Sequence, residues 1–176
     1  MREGIEAKES ISEEIMKIAI ALFLLSGLPL IAQDMQSCPM HKQHQASVEK
    51  HGDEAMGFPH DSTTHHFRLS ADGGAIEVTV NDSKDVQNIQ AIRAHLIHIV
   101  TMFSNGDFSM PMFVHSKIPP GTTEMKERQA DISYTFEELA TGGRVRISTK
   151  NHDALNAIQD FLRFQIEDHD TGDKMD

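Results

Sequence analysis

Two alternating stretches, each broken by a pair of glycines, constrain the fold more than any other feature of this chain. His65-His66-Phe67-Arg68-Leu69 alternates, which places His65, Phe67 and Leu69 on one face of a strand. Asp72-Gly73-Gly74 is a turn signal, and Ile76, Val78 and Val80 share a face of the next strand, so the pair predicts a β-hairpin. Asn81 or Asp82 suits a helix cap, with Asp85 in the first turn. Ile89, Ile92, Leu96, Ile99 and Phe103 recur at three and four, predicting an amphipathic helix over residues 85–104 that ends at Asn105-Gly106. The same grammar returns later. Ile132, Tyr134 and Phe136 alternate, Thr141-Gly142-Gly143 turns, and Val145 and Ile147 face one way. Asn151 or Asp153 then caps a helix carrying Leu155, Ile158, Leu162 and Ile166.

Phe67, Gly73-Gly74, Ile76 and Val78 reappear 69 residues on as Phe136, Gly142-Gly143, Val145 and Ile147. Ala91-Ile92 and Leu96 reappear 66 residues on as Ala157-Ile158 and Leu162. A hairpin with one helix buries its apolar face poorly alone. Two such units pair well, so the expected fold is α+β. Two ββα repeats form a four-stranded antiparallel sheet with two helices packed on one face. The expected single domain spans residues 63–170, with halves 63–104 and 130–170. Residues 105–129 join them, rich in Pro111, Pro119, Pro120 and Gly121; they read as loop, with a short strand at Met112-Phe113-Val114.

The amino terminus has another character. Lys17 precedes an apolar run from Ile18 to Ile31, too short for a bilayer span and suited to a secretory signal. Residues 1–32 are therefore expected to be a signal-peptide region cleaved after Ala32, leaving a periplasmic or secreted protein with no stable membrane span. Five Glu in the first fifteen residues do not fit a signal, so Met16 is the expected true start. Residues 33–62 lack a sustained period and read as a polar, extended or partly helical leader.

The net charge of −11, scattered along the chain, argues against nucleic acid as a partner. Eleven histidines, all beyond residue 40, beside ten Met and a single Cys, direct attention to metals. Cys38, Met40 and His41 combine thiol, thioether and imidazole, which favour copper(I) or zinc. Cys38-Pro39-Met40-His41 resembles the short motif of heavy-metal-binding modules attached to copper-exporting ATPases and efflux proteins. Lys42 stands where those modules usually have proline, and the usual preceding aromatic residue is absent. His95, His98 and Met102 form one stripe of the first helix. Met112 and His115 follow in the joining segment, and His65 shares the face of Phe67. By the two offsets His65 matches Tyr134, His95 matches Phe161 and His98 matches Phe164. Imidazole either fills aromatic space there or marks a polar site acquired by one half. His60, Asp61, His65 and His66 form a further cluster, and Glu167-Asp168-His169-Asp170 reads as a frayed helix end.

Catalytic signatures are missing: there is no Gly-x-Ser-x-Gly, phosphate-binding glycine loop or His-Glu-x-x-His. The runs Thr64-His65-His66-Phe67-Arg68-Leu69, Pro111-Met112-Phe113, Pro119-Pro120-Gly121 and Phe161-Leu162-Arg163-Phe164-Gln165-Ile166-Glu167-Asp168-His169 resemble a group of exported bacterial proteins of unknown mechanism. Some members carry a carbamoyltransferase label. This chain is far shorter than those enzymes and lacks their Ser-Thr-Arg-Thr phosphate loop, so the resemblance implies export and one domain, not that activity. The leading expectation is a soft- or borderline-metal-binding protein, copper first, acting in sequestration, sensing or delivery, with the metal ion or a metal-trafficking protein as partner. Its expected ligands are His65, His95, His98, Met102, Met112 and His115, with Cys38, Met40 and His41 as a capture arm. A metal-free ligand-binding or protein-interaction module using the uncovered sheet face is the alternative. A small histidine-dependent hydrolase or transferase comes third.

Overall fold

Alternation in the sequence becomes four strands in a computed structural model that describes residues 39–176. Strands β1 (Thr63–Ser70) and β2 (Gly73–Val80) form the first hairpin, β3 (Ile132–Leu139) and β4 (Gly142–Thr149) the second. Among the described residues they make one antiparallel sheet in the order β1-β2-β4-β3. Hairpin register is the same in both halves: Thr63 opposes Val80, and 69 residues on Ile132 opposes Thr149. The central seam pairs Ile76 with Val145, themselves 69 apart. The expected α+β fold with its four-stranded antiparallel sheet is what the chain adopts.

Two long helices lie on one face of the sheet. The first runs over Val86–Ser104 and is capped by Asp85, whose carboxylate accepts from Asn88 N at 3.1 Å. Asn81 and Asp82, the expected caps, fall too early. The second runs over His152–Asp168 and is capped by Asn151, which accepts from Asp153 N and Ala154 N. The first helix packs mainly over the second hairpin and the other mainly over the first, so the halves cross. The glycine pairs permit this approach. A methyl group at Gly74 would collide with Leu162 Cδ1 and Arg68 O, and one at Gly143 would sit 2.7 Å from Phe136 Cε2 and 3.1 Å from Leu96 Cδ1. The turns themselves are the two-residue loops Ala71-Asp72 and Ala140-Thr141. Ile92, Leu96, Val145, Ile147, Ile158 and Leu162 are fully buried between the layers.

Three shorter stretches depart from the sequence reading. Residues 39–56, expected to belong to an extended or partly helical leader, form one continuous helix (Pro39–Met56) that buries Val48 and Gly52. Its apolar face is only Val48 and its neighbours a turn away, too sparse to show as a period. Ser109–His115 is helical, so Met112-Phe113-Val114 is not a strand. Pro111 sits in that helix's first turn, where no amide donor is needed. A further helix spans Thr122–Glu127. In chain order the helices are α1 (Pro39–Met56), α2 (Val86–Ser104), α3 (Ser109–His115), α4 (Thr122–Glu127) and α5 (His152–Asp168). α1 packs chiefly on α3. The signal-peptide region, the Met16 start and Cys38 lie outside the described residues. Among the described residues, no helix is long and apolar enough to cross a membrane.

Candidate functional site

Where α1, β1, α2, α3 and the end of α5 meet, they leave a cavity of about 340 Å3. Phe58, Phe67, Leu96, Ile99, Phe103 and Phe161 supply much of its apolar wall. Four histidines supply the polar part: His65 from β1, His95 from α2, His115 from α3 and His169 just past α5. His169 lies parallel to His65, with centroids 6.3 Å apart and planes within 5°, and edge-on to His115 at 5.0 Å. It also stacks on Phe67 at 5.6 Å. His95 meets Phe58 edge-to-face at 5.7 Å. His65 Nε2 is 3.2 Å from the thioether sulfur of Met56 at the end of α1.

Burial keeps three of these rings uncharged at neutral pH, because desolvation penalises the imidazolium form. It lowers His65 to about 4, helped by the charges of His95, His60 and His66. His95 falls to about 4 through burial and then His98. His169 falls to about 3 through burial, then His115 and His65, against a smaller opposing pull from Asp168.

His115 is held differently. Its Nδ1 donates to Asp168 Oδ2 at 2.6 Å, and its Nε2 lies 3.0 Å from Gln165 Oε1. Asp168 also accepts from His44 and Lys117, both at 3.1 Å, while its carbonyl accepts from Gln45 of α1. Burial pushes the Asp168 carboxyl up, but these hydrogen bonds outweigh it and leave the group below the usual carboxylate range. Gln165 is 4% exposed, and its Nε2 has no hydrogen-bond partner among the described residues.

Of the sequence-selected residues, the fold brings His65, His95 and His115 to one cavity. His98 is exposed and Met102 is half-buried against the core, and neither lines the cavity. Met112 is 39% exposed on α3, while Met110 faces the cavity. Met40 is 78% exposed and His41 half-buried, both at the start of α1. Among the described residues no three or more of His, Cys, Asp and Glu are grouped to hold a metal ion. The cluster around residue 60 separates: His60 pairs with Asp53 at 2.9 Å, His66 with Asp173 at 2.9 Å, and Asp61 accepts from Ser62.

Sequence reasoning set His169 and Asp168 aside as part of a frayed helix end and missed Gln165 and Met56. The 66-residue offset could have found the first, since it matches His169 to the inward-facing Phe103. The uncovered sheet face, expected to be apolar if it bound a partner, instead carries ion pairs. Arg144 contacts Glu77 and Glu137, and Arg146 contacts Asp72. The carboxylate a histidine base would need is Asp168, which holds His115 rather than His65 or His95. No known protein family, curated protein or solved structure matches the chain.

Proposed function

We propose that this is a binding protein whose cavity between α1, β1 and the long helices takes a small, largely apolar ligand. The observation that carries the reading is the cavity itself. About 340 Å3, walled by phenylalanines and aliphatic side chains with a few converging polar groups, matches the size and make-up of small-molecule sites. Turnover is not part of the proposal, because His115 has both ring nitrogens engaged by oxygen. The apolar run at residues 18–31 supports action outside the cytoplasm. The test is thermal stability of residues 33–176 with and without ethylbenzene. A bound ligand raises Tm in a concentration-dependent way. Val114→Phe, which fills the cavity from α3, abolishes the response. No shift at probe saturation rejects the proposal.

A second reading keeps the soft metal, copper(I) before zinc, on one specific contact. Met56 Sδ and His65 Nε2, 3.2 Å apart, are a soft and a borderline donor already side by side, and His95 and His169 line the same cavity. An uncharged donor set suits a monovalent ion better than a divalent one in an apolar surround. Copper(I) titration against a competing chelator, with Met56→Leu and His65→Phe beside the wild type, decides it. Equal affinity in all three proteins excludes this site.

A further inference from the structure

We infer that the ligand carries a hydroxyl on its apolar body, and that His65, His95 and His169 are the side chains that recognise it. The inference rests on the cavity-binding proposal and names the chemistry of that same site. All three rings line the cavity. Among the described residues, His95 and His169 make ring contacts and no side-chain hydrogen bond: His95 meets Phe58 edge-on, and His169 lies against His65, Phe67 and His115. Their nitrogens are not sealed off. Among the described residues, the side-chain polar atoms both sealed and unpartnered are Tyr134 Oη and Gln165 Nε2, neither of them on an imidazole. A ring nitrogen without a protein partner therefore keeps open surface, and these rings stand in the cavity wall. Filling that space does not require nitrogen, since the offsets match the three positions to Tyr134, Phe161 and Phe103. An imidazole there costs free energy until its N–H and its bare nitrogen find partners.

An uncharged imidazole offers one N–H donor and one bare acceptor nitrogen, whichever tautomer it takes. Burial keeps these three rings uncharged at neutral pH. A thioether sulfur accepts and cannot donate, so the 3.2 Å contact with Met56 puts the His65 proton on Nε2 and leaves its Nδ1 bare. A ligand group that meets His65 must therefore donate. His95 and His169 have no such contact to fix a tautomer, so either can turn an N–H to the ligand. A hydroxyl donates and accepts from one atom, whereas a carbonyl or ether oxygen accepts only. An alkyl amine would enter charged, and the desolvation that keeps the imidazoles neutral acts on a buried ligand ion as well.

Three small aromatics test this by calorimetric titration, with a chelator present so that no metal held by the imidazoles contributes. p-Cresol donates and accepts, 4-methylanisole accepts only, and p-xylene has a methyl group in place of the hydroxyl. His65→Leu lowers the ratio of p-cresol to p-xylene affinity by about 2- to 12-fold, the range of one net hydrogen bond. It leaves the ratio of 4-methylanisole to p-xylene unchanged, because the lost partner is an acceptor. At least one of His95→Leu and His169→Leu lowers both ratios, because there the lost partner is a donor. In wild-type protein carrying 15N-histidine, p-cresol moves the His65 Nδ1 resonance upfield, as accepting a hydrogen bond requires, and p-xylene does not. That readout needs no variant to fold. Ratios that no histidine substitution changes, with the His65 resonance unmoved by p-cresol, overturn the hydroxyl inference while cavity binding stands. Binding of none of the three probes overturns both.

Discussion

Mild acid is expected to destabilise this domain, and the size of the effect follows from three rings. In the unfolded chain each histidine titrates near its ordinary value of about 6.5. In the folded chain His65 and His95 titrate at about 4 and His169 at about 3. A lowered folded value means that the unfolded state binds more protons between the two. Their contribution to stability is therefore complete above about pH 6.5 and is lost progressively as pH falls towards the folded values. From pH 7 to pH 5 each unfolded ring takes up about three-quarters of a proton and each folded ring almost none, which integrates to about 1.8 kcal/mol apiece. The three together reach about 5 kcal/mol, and because the rings are half-buried, screening brings the range to about 3–5 kcal/mol. That is a large part of a typical domain's stability. With no Trp and one Tyr, far-UV circular dichroism under urea is the suitable assay. At an m-value of about 1.5 kcal/mol/M, the midpoint falls by about 2–3 M between pH 7 and pH 5. Asp168 and Asp173 are held below the usual carboxylate range, so their losses begin at lower pH. His169→Gln removes about a third of the drop. A midpoint that is the same at both pH values refutes the reasoning.

Gly74→Ala is expected to destabilise by about 2–3 kcal/mol, because the new methyl meets Leu162 and the Arg68 carbonyl; Gly143→Ala costs about 1–2 kcal/mol, its closest neighbour being the edge of Phe136. Urea midpoints compare the two directly. Leu162→Ala removes a fully buried side chain and costs about 2–5 kcal/mol by the same assay. Asp173 accepts from His66, Phe67 N and Arg68 on the edge strand, each at 2.9 Å, so Asp173→Ala costs about 1–3 kcal/mol. It also speeds amide exchange at Phe67, which hydrogen exchange reads.

The hairpins and the two long helices were legible because alternation and the three-four recurrence are strong local signals, and the glycine pairs marked where each second strand begins. The crossing of the helices was not legible, since it depends on which sheet half each apolar face meets. α1 escaped for another reason. Its helix is held by a few contacts from distant residues, such as Gln45 on the Asp168 carbonyl at 2.9 Å, and not by its own pattern. The candidate site was half visible. His65 and His95 stood out because they replace aromatic residues under the offsets. Gln165 and Asp168 looked like any polar residues on a helix. Only their burial beside His115, which comes from a segment fifty residues earlier, gives them meaning. His98 shared His95's helical stripe yet points to solvent, because a stripe fixes direction on the helix and not what covers it.

Compared position by position, the two sides of the sheet show why the cavity is the place to look. His65, His95 and His169 correspond under the offsets to Tyr134, Phe161 and Phe103. Phe103 meets Tyr134 and Phe161 edge-to-face, each at 5.9 Å, and Phe103 and Phe161 also form part of the cavity wall. On the histidine side the same backbone geometry carries five-membered rings. His65 and His169 lie parallel at 6.3 Å, and the space around them stays open. Smaller rings leave volume that neighbours refill only in part, and desolvated imidazoles add a further penalty below neutral pH. A void lined in part by ionisable rings is a local sacrifice of stability of the kind that binding sites make.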